Sequence, residues 1–94
     1  MGLFGRSEEQ ELAQFTASYN SMFDNLYRGE THARGVTSLP AAVMEQIHSA
    51  AVEHAMIKTY KPGQRVRITS IQVQGLFLER MREQMLSSLQ RRSE

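Results

Sequence analysis

Apolar side chains recur at helical spacing in three stretches of this chain. In the first, Leu12, Phe15, Tyr19, Met22 and Leu26 alternate three and four residues apart, with Phe23 beside them, which places one stripe along a helix. Ser7-Glu8-Glu9-Gln10 ahead of it has the form of a capping box, in which the Ser7 hydroxyl accepts from an unpaired amide and Gln10 reaches back. Arg28-Gly29 supplies a cation for the last turn and a glycine for a left-handed cap. The pattern predicts a helix over about 8–28. Two heptads are too few for a free-standing coiled coil, so the helix belongs in a bundle.

The second stretch runs from Pro40 to Tyr60. Read at about 100° per residue, it gathers Val43, Ile47, Ala50, Ala51, His54 and Ile57 on one stripe, with Met44 and Ala55 on a flank and Glu45, Gln46, Ser49 and Glu53 mainly opposite. The alanines would admit a neighbouring helix closely. Ser38 is placed to cap this helix and Pro40 to fall in its first turn, where a missing N–H does no harm. Residues 30–39 show no period and read as a connecting loop. Lys61-Pro62-Gly63-Gln64 ends the helix near Tyr60, because the residue before a proline is pushed away from helical angles.

Beyond that turn the period changes. Arg65-Val66-Arg67-Ile68-Thr69 alternates polar with β-branched apolar residues and predicts an extended segment over about 65–69. Thr69-Ser70-Ile71-Gln72 also has the form of a second capping box, so whether 65–74 is strand or helix stays open at this point. From Gly75 the helical period is plain: Phe77, Leu78, Met81, Met85 and Leu89 share a face, Leu86 lies at its edge, and Arg91 and Arg92 suit the negative end of a helix over about 75–91. The fold class expected is mainly α: one helical domain over 1–94, a three-helix bundle with a short extended basic segment before the last helix. A lone extended segment cannot satisfy its own backbone. Its partner would be the loop around Gly35–Ser38 or the same segment of another chain, which points to a homodimer.

Composition adds few bounds. Ninety-four residues, 40% hydrophobic and 22% charged, suit one modest core. There is no cysteine, so disulfides, thiolate metal sites and cysteine nucleophiles are excluded, and a cytoplasmic location fits. No stretch approaches the roughly 18 apolar residues of a membrane span. The opening Met1–Arg6 is too short for a signal peptide and has Arg6 where myristoylation requires Ser or Thr; it reads as a flexible tail. The net charge of +1 is unevenly spread. Residues 1–57 hold three basic and seven acidic side chains, whereas residues 58–94 hold eight basic and three acidic. Such a chain can pair its own halves, pair with a copy, or offer its positive end to an acidic partner.

Candidate chemistry is sparse. Glu45-Gln46-Ile47-His48 has the Glu-x-x-His spacing of carboxylate-bridged metal sites in helical bundles, with Glu8, Glu11 or Asp24 as further ligands. Glu45 and His48 are nevertheless a weak metal candidate, since the chain has no second copy of the motif, and no cofactor is expected. His54, at mid-stripe, is expected to be at least partly buried and hydrogen-bonded. Lys58, Lys61, Arg65 and Arg67, with Tyr60 and Gln64 among them, form a patch suited to nucleic-acid phosphates, or one that answers the acidic first helix. No nucleophile elbow or phosphate loop is present. The expectation is a non-enzymatic protein–protein interaction module, an adaptor, assembly factor or chaperone-like partner, with contacts from Phe15, Tyr19, Phe23, Met81 and Met85 and no small-molecule substrate. The alternative is a small nucleic-acid-binding regulator using the basic segment.

Overall fold

The computed structural model describes residues 7–93, with side chains through Gln90. Met1–Arg6 and the side chains of Arg91 and Arg92 lie outside the described residues. Three helices follow one another: α1 (Glu8–Arg34), α2 (Ala41–Thr59) and α3 (Ser70–Ser93). No strand occurs among the described residues.

The start of α1 follows the capping-box pattern. Gln10 N–H donates to Ser7 Oγ and Ser7 N–H to Gln10 Oε1, both at 3.1 Å. Its end does not fall at Gly29. The helix continues for another turn and a half, to Arg34, and closes on Gly35, which takes the left-handed φ of 66°. Glycine at φ > 0 carries no Cβ penalty, which makes Gly35 a better stop than Gly29. Local bonds hold the added turns: Arg34 Nε to Glu30 Oε2 at 3.1 Å, and the Thr31 hydroxyl to the carbonyls of Tyr27 and Arg28. Tyr27 Oη donates to Thr37 O at 3.2 Å and ties the following loop back.

For α2 the N-cap is Pro40 rather than Ser38, with the amides of Val43 and Met44 both 3.0 Å from its carbonyl. Tyr60 is its C-cap. A second correction concerns α3, which begins at Ser70 and not near Gly75. The Thr69 capping box decides this: Gln72 N–H donates to Thr69 Oγ1 at 3.2 Å, and Thr69 N–H donates to Gln72 Oε1 at 2.9 Å. Between the helices, Gly63 turns the chain at φ 81°. Residues 64–69 then run with no ladder to the loop around Gly35–Ser38; Ile68 N–H reaches Tyr60 Oη at 3.4 Å and Thr69 N–H reaches Gln72 Oε1, so side chains take the last two amides of the segment.

The core lies between α1 and α2. Phe15, Tyr19 and Phe23 are fully buried, and Ile47, Ala51 and Ala55 oppose them in the same cluster. Buried positions in α1 fall four apart, at Glu11, Phe15, Tyr19, Phe23 and Tyr27, and so do Ile47, Ala51, Ala55 and Thr59 in α2. These are the i±4 ridges by which crossing helices interlock. Large rings on one ridge need small residues on the other, and this turns α2 so that its alanine row faces inward. The predicted α2 stripe is therefore rotated from the real one. Ala50 is exposed and Ile57 is 69% exposed, while His54 is partly buried, as its position on the stripe predicts. Each buried phenylalanine contributes about 2–3 kcal/mol by area.

The third helix is placed differently. It packs mainly on α1, and its contact with α2 is slight. Phe77 meets Phe23 with ring centroids 6.2 Å apart. One turn on, Arg80 Nη1 lies 3.0 Å from Asp24 Oδ2, and Gln84 Nε2 donates to Asp24 Oδ1 at 3.3 Å. No described helix is long and apolar enough to cross a membrane.

Candidate functional site

Because α3 leans on α1 and barely meets α2, a cleft runs between α2 and α3. The point that bridges it is a ring contact: Phe77 stands 4.5 Å from the His48 imidazole. His48 is fixed from beneath by α1, with Tyr19 Oη 2.7 Å from its Nδ1. Burial lowers the His48 pKa below its ordinary 6.5, against a smaller upward pull from the Glu45 carboxylate. Burial likewise pushes the Tyr19 phenol well above its ordinary range. A neutral imidazole with Nδ1 as acceptor is the form this environment favours.

On one side of the bridge the cleft opens to about 670 Å³, walled by Val52, Met56, Val66, Ile68 and Val73, with Glu45, Ser49 and Gln74 at its edges. On the other side a hollow of about 380 Å³ is lined by Tyr27, Leu39, Met44, Met81, Met85 and Leu89. Both are shallow and mostly apolar. Such surfaces receive apolar side chains, with the flexible methionines able to adjust to their shape.

The apolar surface continues past the cleft onto the outer flank of α3. Ile71 is 82% exposed, Leu78 55%, Met85 61% and Leu89 49%. At about 100° per residue, the apolar arc of α3 spans well over half its circumference, and the bundle covers only part of it.

No family model matches the chain, and no curated protein or solved structure does either.

The residues singled out by sequence separate into four groups. Phe15, Tyr19 and Phe23 have 0% exposure; they form the core and present nothing to a partner, because the aromatic ridge is the one surface both hairpin helices need. Met81 is half-buried at the cleft wall and Met85 is exposed. Among the basic residues, Lys58, Lys61 and Arg65 lie exposed around the turn after α2, whereas Arg67 folds back onto α1. Its Nη2 is 2.8 Å and its Nε 3.1 Å from Glu11 Oε1, with Glu8 Oε1 at 3.9 Å. Glu45 and His48 line the cleft, but no group of three or more His, Asp or Glu among the described residues is placed to hold a metal ion.

Glu11, named from the sequence only as a further metal-ligand candidate beside Glu45 and His48, has a different place in the structure. It is 2% exposed and is also bonded by the Tyr60 hydroxyl. Burial pushes its carboxyl up, but hydrogen bonds from Tyr60 and Arg67, with the Arg67 charge, outweigh that and hold it below its ordinary 4.5. Tyr60 moves the other way, raised by burial and by its bond to the carboxylate. The signal available in the sequence was position: Glu11 stands one ridge step before Phe15.

Proposed function

We propose that this chain is a non-enzymatic protein–protein interaction module, and that it works through the apolar surface of α3 and the cleft beside it. The observation that carries this reading is the exposure of Ile71, Leu78 and Met85 on a helix whose other flank is already anchored to α1. Large apolar side chains clustered at the surface mark contact sites, whereas scattered ones need no explanation. Met81 and Met85 carry over from the sequence reading as contact residues; Ile71 and Leu78 join them. A homodimer is the first partner to consider, and an adaptor or assembly role follows if a different protein occupies the same face.

The test compares wild-type chain with Ile71→Lys/Leu78→Lys, purified under native conditions from cells that make the protein. A stoichiometric association, with itself or with another protein, is expected for wild type and lost in the variant, while helical circular dichroism is unchanged. Identical behaviour of the two proteins refutes the reading. The nucleic-acid alternative keeps Lys58, Lys61 and Arg65 as its contacts and loses Arg67 to Glu11.

A further inference from the structure

We infer that the outer stripe of α3 pairs antiparallel with the same stripe of a second copy of this chain, the two-fold axis passing opposite residue 80. This rests on the interaction reading above and deepens it by naming the occupant and its register. Ile71, Gly75, Leu78, Arg82, Met85 and Leu89 repeat at alternating steps of four and three, a seam of coiled-coil type over nearly the full 24-residue helix. Arg80, which holds α3 to Asp24, falls on the opposite side of the helix from this seam. The stripe therefore points away from the α1 contact, and a second helix can approach it.

Orientation follows from size and charge. In the antiparallel register each layer pairs a first-type position with a second-type one: Ile71 meets Leu89 of the second copy, Gly75 meets its Met85, and Leu78 meets its Arg82. A glycine opposite a methionine leaves room for the longer side chain, and Gly75 faces open space, with nothing within 4 Å of a Cβ built on it. The aliphatic stem of Arg82 covers Leu78 while its guanidinium reaches the rim. There the two Glu79 carboxylates converge, and the two Arg82 cations lie between them, so four charges balance. A parallel pair would instead stack Gly75 on Gly75 and Arg82 on Arg82, a void and a like-charge layer with only the Leu78 pair between them. Charge and volume both select the antiparallel form.

The experiment uses the full chain. Light scattering across a dilution series should give a mass near twice 10.7 kDa, falling toward the single-chain value on dilution. Arg82→Glu puts four like charges at the centre and should raise the dimer Kd on the order of a hundredfold. Adding Glu79→Arg to it should restore wild-type association, which a misfolded variant could not do. The chain has no cysteine, so Leu78→Cys and Arg82→Cys chains, mixed and oxidised, should cross-link to each other faster than either does to itself. Faster self-linking of Leu78→Cys, or no rescue by the charge swap, overturns the proposal. So does a single-chain mass at every concentration, and hydroxyl-radical footprinting then sorts the cause. A reactive Met85 leaves the face open for another protein and spares the interaction reading; a protected Met85 in a monomer defeats both.

Discussion

Replacing Glu11 by alanine should cost far more than its place among surface acids in the sequence suggests. The carboxylate is 2% exposed and accepts from the Tyr60 hydroxyl and from two nitrogens of Arg67. Its loss strands the Tyr60 hydroxyl, itself 9% exposed, without its charged acceptor, worth about 2–3 kcal/mol. Arg67 adds little to that figure, because its side chain is 34% exposed and water can take over. Glu8, whose side chain is 79% exposed and 3.9 Å from Arg67, should cost under about 0.5 kcal/mol when changed to alanine. Urea denaturation at one fixed protein concentration measures both, with equal slopes required for the comparison. In thermal terms the Glu11→Ala loss is about 10–20 °C in Tm for a chain of this size. If the Glu11→Ala and Glu8→Ala midpoints coincide, the buried hub is not what secures the segment between α2 and α3.

Four further outcomes follow. The folded Glu11 pKa lies below its ordinary 4.5, so the unfolded chain binds more protons in that window. The advantage of wild type over Glu11→Gln should therefore be full above pH 4.5 and shrink as pH falls through the lower folded value, seen by acid titration of both. His48, depressed below 6.5 by burial, has the same sign: its contribution is complete above pH 6.5 and declines below it, and its imidazole should titrate under 6.5 by NMR. Gly29→Ala sits mid-helix with open space around it and should stabilise by about 0.5–1 kcal/mol, whereas Gly35→Ala, forced to φ 66°, should destabilise by about 1 kcal/mol, both by chemical denaturation. Lys61→Glu/Arg65→Glu should leave filter binding to DNA and RNA unchanged at low and high salt, since phosphate contacts would make it salt-dependent.

The sequence made three helices legible because caps and periods are local. Ser7 and Gln10 set the first start, and Pro62-Gly63 set the second end. It was misleading where tertiary partners choose between local options. Reading α1 as a three-and-four seam selected Leu12, Met22 and Leu26, whereas ridge packing buries every fourth residue and brings in Glu11 and Tyr27. On α2, apolar residues stand on most faces, so no stripe dominates until the rings of α1 select Ile47, Ala51 and Ala55. The same rotation carries His48 inward and leaves Ile57 outside. Thr69 offered both an extended reading and a cap, and the cap prevailed because it satisfies two amides at once. Of the contact residues proposed from sequence, Met81 and Met85 lie half-buried and exposed, whereas Phe15, Tyr19 and Phe23 are fully buried, because which aromatic residues stay at the surface depends on the core they build.

The central claim is that α1 and α2 close on each other while α3 keeps an apolar flank for a partner. Relaxation of methyl NMR signals by an inert paramagnetic co-solute tests it most directly, read at low and high protein concentration. The account predicts that Ile71, Leu78 and Met85 methyls relax strongly in dilute solution and become shielded as concentration rises, with Ala51 and Ala55 shielded throughout. Shielding of Ile71 and Leu78 at the lowest concentration, or relaxation of Ala51 and Ala55 at any, would contradict it.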